Sequence, residues 1–267
     1  MSQASHPGPR AIGGVNWVGL WTLYLREVRR FFKVFTQTVA APVVTTLLFF
    51  AIFALALGRA VTHVGDIPFS QFLAPGLIVM AMVQNSFANT SSSIVIAKVQ
   101  GNIVDTLMPP LSAGELTLAY ALGGASRGLV VGLVVAAAIY LFVPFSLAHP
   151  FYVLFHGLAA SLMLSLLGVI AGIWSEKFDH MAAVTNFIIT PLAFLSGTFY
   201  SIERLPPFWH LVAQFNPFFY MIDGFRYGCT GYADGHTGVG ILVMIGANLG
   251  LALLAWRMFK TGYKLKS

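Results

Sequence analysis

Five long stretches of the chain contain no Asp, Glu, Lys or Arg, and this spacing limits the fold more than any other feature. The uncharged stretches are 34–58, 67–97, 128–175, 180–202 and 235–256. A helix needs roughly 20 mostly apolar residues to cross a bilayer, and the 128–175 stretch is long enough for two helices separated by a turn. We therefore predict an all-α membrane protein with six spans, at about 36–58, 71–95, 118–143, 151–174, 181–201 and 239–258.

The low content of charged residues supports this class. Charged residues make up 9% of the chain, whereas soluble domains usually contain about 25%, so a soluble surface of this size could not be covered. The single cysteine, Cys229, excludes a disulfide scaffold and a thiolate metal site. No metal site is expected, because the sequence has no HExxH or CxxC motif and its histidines are scattered.

The distribution of Lys and Arg predicts the orientation, since cytoplasmic loops of membrane proteins carry an excess of both. With six spans, twelve of the fifteen cations lie on the side of the two termini, leaving Arg59, Arg204 and Arg226 on the other side. Both termini are therefore predicted to be cytoplasmic, including a basic tail at 261–267. The net charge of +6 then indicates contact with anionic lipid headgroups, and no nucleic acid partner is expected.

Residues 16–35 form a predicted amphipathic helix that follows a mobile cytoplasmic segment, 1–15. Asn16 is a plausible N-cap. Aromatic and aliphatic residues recur on one stripe, and the opposite face is predicted to carry Arg26, Arg29, Arg30 and Lys33. Such a helix lies on the cytoplasmic leaflet, with its aromatic residues at the acyl boundary and its arginines among the phosphates.

The predicted loop between the second and third spans, 98–115, is unusually apolar. Its sequence, KVQGNIVDTLMPPLSAGE, contains a short helical stretch stopped by Pro109 and Pro110. The residues alone leave two explanations equally open: packing against the protein's own helices, or a docking surface for a cytoplasmic partner.

The second span carries a polar face inside the membrane. Asn85, Asn89, Ser92 and Ser93 share one side of a helix, and Gln84 lies beside them. Polar residues in lipid are costly, so this face should contact protein or a wet cavity. Hydrogen bonding between helices and the lining of a substrate path both fit the pattern.

The region between the fifth and sixth predicted spans is rich in proline and aromatic residues. Pro206 and Pro207 suit the first turn of a short helix, and Asn216 with Pro217 stops that helix. Because prolines interrupt it, the region is expected to be interfacial or re-entrant rather than spanning. Asp223 and Arg226, three residues apart, are predicted to form an ion pair on the helix that follows.

Two enzymatic activities are disfavoured by the motifs. The sequence contains no GxxxxGK[ST] phosphate loop, so the chain is not expected to hydrolyse ATP through that motif. Gly124, Ser126 and Gly128 match GxSxG, but that pattern activates serine on a strand-to-helix turn and here it opens a membrane helix. A rhomboid-like serine protease is therefore only a remote alternative.

Taken together, the predicted spans, the cytoplasmic amphipathic helix, the PPLSAGE loop and the segment PLAFLSGTFYSIERLPPFWHLVAQFNPFFYMIDGFRY (191–227) resemble a type-2 ABC transporter permease. The likeness covers nearly the whole chain, and it is nearest to bacterial permeases for nodulation factors, polysaccharides and antibiotics. Its most specific residues are Gly197, Pro206, Pro207, Asn216, Pro217, Asp223 and Arg226.

The resemblance implies a homodimer in the bacterial inner membrane, paired with two separately encoded cytoplasmic ATPase subunits. Those subunits would use ATP and Mg²⁺, and this chain would bind no cofactor. The resemblance also implies export, a cap on the outer side formed by 202–235, and ATPase contacts made by the amphipathic helix and the 98–115 loop. The expected coupling residues are Gln100, Asp105, Leu107, Pro109, Pro110 and Leu111 in the loop, and Arg26, Arg29 and Arg30 in the helix.

An ATP-independent secondary transporter or channel is the main alternative. Such proteins commonly use charged groups within the membrane for ion coupling, and none of the nine Asp and Glu residues falls inside the predicted spans. The cargo is not specified by the sequence: amphipathic, lipid, glycan and drug-like substrates all fit.

Overall fold

The computed structural model describes residues 13–59 and 61–265. Residues 1–12 of the predicted mobile segment, and the last two residues of the predicted basic tail, lie outside the described residues. Within the described ranges the fold is all-α, as predicted, apart from one two-stranded antiparallel hairpin. The hairpin joins β1 (His63–Val64) to β2 (Ile67–Pro68).

The helices follow the predicted order. They are α1 (Trp17–Phe32), α2 (Ala41–Ala56), α3 (Phe69–Val99), α4 (Ile103–Leu107), α5 (Ala113–Tyr140), α6 (Pro150–Trp174), α7 (Phe178–Val184), α8 (Thr190–Phe194), α9 (Pro207–Gln214), α10 (Pro217–Thr230) and α11 (Thr237–Thr261). A π-helical turn at Thr36–Ala40 leads into α2, and a second one at Thr185–Ile189 joins α7 to α8. A 3₁₀ turn covers Ile202–Arg204.

Among the described residues, five helices are long and apolar enough to cross a membrane: Thr36–Ala56, α3, α5, α6 and α11. The predicted span at 181–201 is shorter than expected. Its helical part consists of α7, the π-turn and α8, with 7, 5 and 5 residues, roughly 25 Å at 1.5 Å per residue. It ends at Phe194 because Gly197 adopts a left-handed conformation (φ +73°) that continues no helix. Six full-length spans are therefore not confirmed.

Helix α3 is the centre of the bundle. In the most apolar 18-residue stretch of α3, 78% of the residues are buried. The corresponding fraction is 17% for α2 with its π-turn and 17% for α11, so these two helices lie at the edge of the bundle. Small residues let the neighbouring helices approach α3 closely. A Cβ at Gly128 of α5 would lie 1.9 Å from Ser86 Oγ, and one at Gly168 of α6 would lie 2.2 Å from Thr90 Oγ1, so only glycine fits at these crossings.

The loops gather on two opposite faces of the bundle. One face, which we call the basic face, holds α1, the segment 100–112, the α6–α7 link and the end of α11. There Asn16 N donates to Glu115 Oε1 (2.5 Å) and Lys264 Nζ lies 2.8 Å from Glu176 Oε1. The opposite face, which we call the cap face, holds the β-hairpin, the α5–α6 loop and residues 195–236; there His149 N donates to Gly228 O. The described ends of the chain share the basic face.

Candidate substrate groove and coupling surface

Helix α1 is held on the basic face by a buried carboxylate, Glu27. Its side chain is 1% exposed, and its oxygens lie 3.3 Å from Arg26 Nη2 and 3.3 Å from Arg30 Nε. Ser93 Oγ on α3 donates to Glu27 Oε1 at 2.9 Å. A buried carboxylate is tolerated when it is paired and hydrogen-bonded in this way, so α1 is fixed to the bundle through its charged residues.

Arg26 and Arg30 extend this network to α3, α4 and α5. Arg26 donates to Thr106 Oγ1 (2.9 Å) and to the Tyr120 hydroxyl (3.0 Å). Arg30 donates to Ser92 Oγ and to both carbonyl oxygens of Asn89. These bonds hold Arg26 and Arg30 against the bundle, although the Arg26 side chain is still 47% exposed; the position of α1 on the cytoplasmic leaflet stays a prediction. Polar partners on α3 to α5 draw both arginines toward the bundle, while Trp17 and Trp21 are exposed.

The start of α1 is clamped to the start of α5. Ser112 and Glu115 form a capping box for α5, in which Ser112 Oγ accepts from Glu115 N and Glu115 Oε2 accepts from Ser112 N. Glu115 also accepts from the backbone N–H of Asn16, whose side chain caps α1 and donates to Pro110 O. The predicted N-cap role of Asn16 is confirmed, and part of the PPLSAGE motif serves to join two helices.

The predicted coupling residues lie together on the basic face. Gln100, Asp105, Pro109, Pro110 and Arg29 are exposed, Leu107 and Leu111 are half-buried, and α4 confirms the short helical stretch. Around them Val99, Val104 and Met108 are 52%, 52% and 76% exposed. These three side chains, with the exposed residues of α4 and the loop after it, form what we call the α4 patch. Its exposed apolar surface next to α1 has the character of a protein contact site.

A groove lined by both polar and apolar residues runs between α2, α3 and α5. It has a volume of about 770 Å³ and is lined by Gln37, Thr38, Ala41, Pro42, Thr45, Thr46, Phe49, Leu77, Met80, Ala81, Gln84, Asn85, Ser92, Ile96 and Arg127. Three of the five residues predicted for a substrate path, Gln84, Asn85 and Ser92, line this groove. Polar groups from three helices therefore meet in a space within the part of the bundle that would be surrounded by lipid.

The other two predicted path residues lie behind the groove wall. Asn89 is fully buried and bonded to Arg30, and Ser93 is bonded to Glu27. One helical face thus has two parts: a groove-lining part, and a part that fixes α1 to α3. Hydrogen bonding between helices, one of the two explanations of the polar pattern, is observed at Asn89 and Ser93; the lining of a substrate path stays a prediction for Gln84, Asn85 and Ser92.

Arg127 faces the groove from the middle of α5. Its Nη2 donates to Asn85 Oδ1 at 3.0 Å, and Asn85 Nδ2 is itself anchored to Ala81 O at 3.0 Å. The capping box starts α5 at Ala113, which puts Arg127 about 20 Å along this helix at 1.5 Å per residue.

The signature residues of the 191–227 segment bind the cap face together. Arg226 is fully buried; its Nε donates to Phe72 O (3.1 Å), its Nη2 donates to Gly197 O (2.7 Å), and its guanidinium lies 3.8 Å from the Phe72 ring centre. Pro206 and Pro207 begin α9, and this helix ends before Asn216 and Pro217, as predicted. Asn216 in addition caps α10, which starts at Pro217. Asn216 Nδ2 also donates to Leu192 O, which ties α10 to α8.

The predicted ion pair between Asp223 and Arg226 does not form. Among the described residues, salt bridges within 4.0 Å join only Arg26 and Arg30 to Glu27, and Lys264 to Glu176. Asp223 instead accepts from the backbone N–H groups of Asp234 and Gly235 at 2.8 and 3.0 Å. Tertiary backbone partners therefore replace the local pairing that the three-residue spacing predicted.

Asp234 completes the cap network. It accepts from Ser201 Oγ and the Tyr232 hydroxyl, each at 2.7 Å, and from Ile202 N at 3.2 Å. Burial and then the hydrogen bond to Asp234 raise the pKa of Tyr232 to about 12, so its hydroxyl remains a donor at neutral pH. The residues from 195 to 236 are thus joined by side-chain bonds to loop backbone.

The GxSxG sequence occupies a helix rather than a strand-to-helix turn. Ser126 lies within α5, its Oγ donates to Leu122 O, and it lies 3.0 Å from the Tyr24 hydroxyl. Gly124 packs against Ser165 and Thr90. The motif therefore lacks the backbone geometry that activates a serine nucleophile.

Glu27, Glu115 and Asp234 were not recognised from the sequence as site residues. Glu27 carried a usable signal, because it is the only acidic residue before Asp66 and lies within a cluster of arginines. Ser112 and Glu115 match the capping-box spacing, which also predicts where α5 begins. Asp234 has no comparable local signal, since its partners Ser201 and Ile202 are more than thirty positions away.

The fold and the site are those of a multispan membrane protein with a groove between its helices and an exposed apolar patch on its basic face. The model of the ABC-2 type transporter family matches residues 18–229, and the chain belongs to this family. It is 36% identical over 253 residues to the inner membrane transport permease YadH of Escherichia coli K12, covering 94% of this chain and 98% of that protein.

Nodulation protein J from two organisms is a more distant relative. The protein of Rhizobium leguminosarum bv. trifolii is 25% identical over 80% of this chain and 81% of its own length. That of Neorhizobium galegae is 24% identical over 82% and 83%. The resemblance to type-2 ABC permeases is therefore confirmed, and the chain is a transport permease of the inner-membrane type.

Proposed function

We propose that this chain is the membrane subunit of an ATP-driven exporter, formed by two copies of the chain and two separate ATPase subunits. The exporter would move an amphipathic substrate outward across the inner membrane, with both termini of the chain in the cytoplasm. The observation that carries the proposal is the α4 patch: an exposed apolar surface, on the face rich in Lys and Arg, directly bonded to α1.

The contacts of α1 provide a route from the α4 patch to the groove. Arg26 bonds α1 to Thr106 of α4, and Arg30 bonds α1 to Asn89 and Ser92 of α3. Ser92 lines the groove, and Asn89 lies one helical turn from Asn85. ATP-driven closure of the ATPases would displace α4 and α1 together, and the shift would reach the groove through α3.

The edge helices favour a second copy of the chain. The α2 and α11 windows are only 17% buried, so their apolar sides are available to lipid or to the partner subunit. The groove lies beside α2, and a partner seated there would complete the wall of a shared path.

Co-purification with the cognate ATPase tests the proposal. Val104→Glu and Met108→Glu place charges in the α4 patch, and each is expected to reduce the ATPase recovered with the permease by roughly tenfold, a loss of about 1.4 kcal/mol of binding. Leu147→Glu is the matched control, because it charges an exposed apolar residue on the cap face. Unchanged recovery in both α4 variants, with normal membrane insertion, would overturn the proposal.

A further inference from the structure

Resting on the proposed function, the geometry of the groove points to a substrate class: we infer that the groove accepts an amphiphile with an anionic headgroup, and that Arg127 binds this headgroup. The inference starts from the position of Arg127 on α5. This helix has 28 residues and is long and apolar enough to cross a membrane, and Arg127 lies halfway along it. A cation within a membrane-spanning helix is expensive and marks a functional site when nothing neutralises it.

No carboxylate neutralises Arg127 among the described residues. Their salt bridges within 4.0 Å involve Glu27 and Glu176, and neither pairs with Arg127. Its Nε is buried and has no hydrogen-bond partner, and the residues lining the groove include no Asp or Glu. The groove is therefore lined by one guanidinium and by no acidic side chain, and the guanidinium has an N–H donor that bonds no described protein atom.

Asn85 fixes the position of the guanidinium. Its Nδ2 is held by Ala81 O, which turns its Oδ1 toward Arg127 Nη2. A guanidinium has five N–H donors in a planar fork, and Asn85 accepts one of them. The remaining donors suit the oxygens of a phosphate or a carboxylate, which arginine binds in a bidentate manner. Asn85 is thus a positioning residue for Arg127.

The rest of the groove fits the two parts of an amphiphile. Gln37, Gln84 and Thr45 offer neutral polar groups, and Phe49, Leu77 and Met80 offer apolar surface for a chain. At the basic-face end, Ser92 Oγ is bonded to Arg30, whose charge is shared with Glu27. Cations near the entrance and at the centre favour an anionic headgroup over a cationic one.

Site-mapped photocrosslinking tests the inference on the purified permease–ATPase complex in phosphatidylcholine nanodiscs. The probes are a diazirine-bearing oleoyl lysophosphatidic acid and the corresponding neutral monoacylglycerol, with labelled groove peptides quantified by mass spectrometry. The anionic probe is expected to label the groove roughly tenfold more than the neutral probe, the size of a lost charge-assisted contact. Equal labelling by the two probes would overturn the inference.

Two variants assign the preference to Arg127. Arg127→Gln removes the charge. Asn85→Asp gives Arg127 an internal carboxylate of the same size, so it removes the preference without removing a buried side chain. In each of these two variants, the anionic and the neutral probe are expected to label the groove to the same extent. Arg257→Gln removes an exposed arginine at the end of α11 and is expected to keep the preference for the anionic probe. A preference retained in Asn85→Asp would contradict the inference.

Competition with inorganic phosphate tests whether the groove recognises free phosphate instead of an amphiphile. Inorganic phosphate is expected not to displace the anionic probe, because free phosphate lacks the chain that the apolar wall binds; displacement at matched concentration would show recognition of free phosphate and overturn the inference. ATPase co-purification is measured on the same samples. Intact ATPase binding with no anionic preference would overturn only the substrate class and leave the proposed function standing.

Discussion

Arg30 of α1 donates from one nitrogen, Nη2, to both the backbone carbonyl (2.5 Å) and the side-chain carbonyl (3.1 Å) of Asn89 on α3. A helix at the surface is thereby bonded to the most buried helix of the bundle, one turn from the groove. In a purely apolar bundle the helices would be held by packing alone. Here the polar groups of Arg30 and Asn89 join the candidate coupling surface to the candidate path.

Replacing Glu27 should weaken the attachment of α1. Glu27→Gln removes the carboxylate between Arg26 and Arg30 and leaves both arginines without their counter-charge. A loss of about 1–3 kcal/mol is expected, the usual range for a charged group deprived of its buried hydrogen-bond partner. Thermal unfolding of the purified protein should show a lower midpoint, whereas Glu203→Gln, at an exposed position on the cap face, should leave it unchanged. Equal midpoints for both variants would exclude an anchoring role.

The two parts of the α3 polar face should respond differently to bulky substitution. Gln84 is exposed to the groove, so Gln84→Trp should give a normal yield of folded protein. Asn89 is fully buried, so Asn89→Trp should overpack the α1–α3 contact and unpair Arg30, at a cost of more than about 1–3 kcal/mol. Size-exclusion chromatography of a fluorescent fusion measures the folded fraction. Equal folded yields from the two variants would contradict the division of this face.

Arg226 should be essential for the cap-face structure. Arg226→Leu leaves the carbonyls of Phe72 and Gly197 without their donor in a fully buried position, where each orphaned group costs about 1–3 kcal/mol. The variant should expose residues 195–236 to protease and lower the unfolding midpoint. Arg204→Leu, which replaces an exposed arginine in the same segment, is the control. Wild-type protease resistance in Arg226→Leu would refute the structural role.

The salt bridge between Glu176 and Lys264 should make a small, pH-dependent contribution to stability. The hydrogen bond from Lys264, followed by its charge, lowers the pKa of Glu176 below its ordinary value of 4.5. The folded state therefore binds fewer protons than the unfolded state, so the contribution is present above pH 4.5 and is lost as the pH falls through the lower, folded pKa.

Glu176→Gln tests this contribution. The variant should unfold at a slightly lower temperature than the wild type at pH 7, and the difference should disappear in acid well below pH 4.5. Because both groups are solvent-exposed, salt should reduce the difference at pH 7. A difference that persists in acid would assign the effect to packing instead of charge.

Much of the fold could be predicted because membrane-length apolar segments and local capping signals lie in contiguous residues. Asn16 and Pro207 mark helix starts, and Asn216 with Pro217 marks a helix end, and the structure confirms all three. Helix α5 begins five residues before the third predicted span, because hydropathy starts that span at 118, whereas the Ser112 and Glu115 capping box starts the helix at Ala113. The pairing of Asp223 with Arg226 was wrong because partners distant in sequence, such as Phe72 and Gly197, compete with a local ion pair.

The most direct test of ATP-driven movement at the groove uses a single engineered cysteine. Cys229 is the only native cysteine and is buried, so a Cys229→Ser background carrying Gln84→Cys reports on the groove alone. In the purified permease–ATPase complex in nanodiscs without nucleotide, where both faces are open to solvent, a membrane-impermeant maleimide should label Gln84→Cys. Trapping the complex with ATP and vanadate should slow labelling by roughly tenfold or more, while Leu147→Cys on the cap face should not be slowed. Labelling of the groove at the same rate with and without trapped nucleotide would contradict an ATP-driven permease.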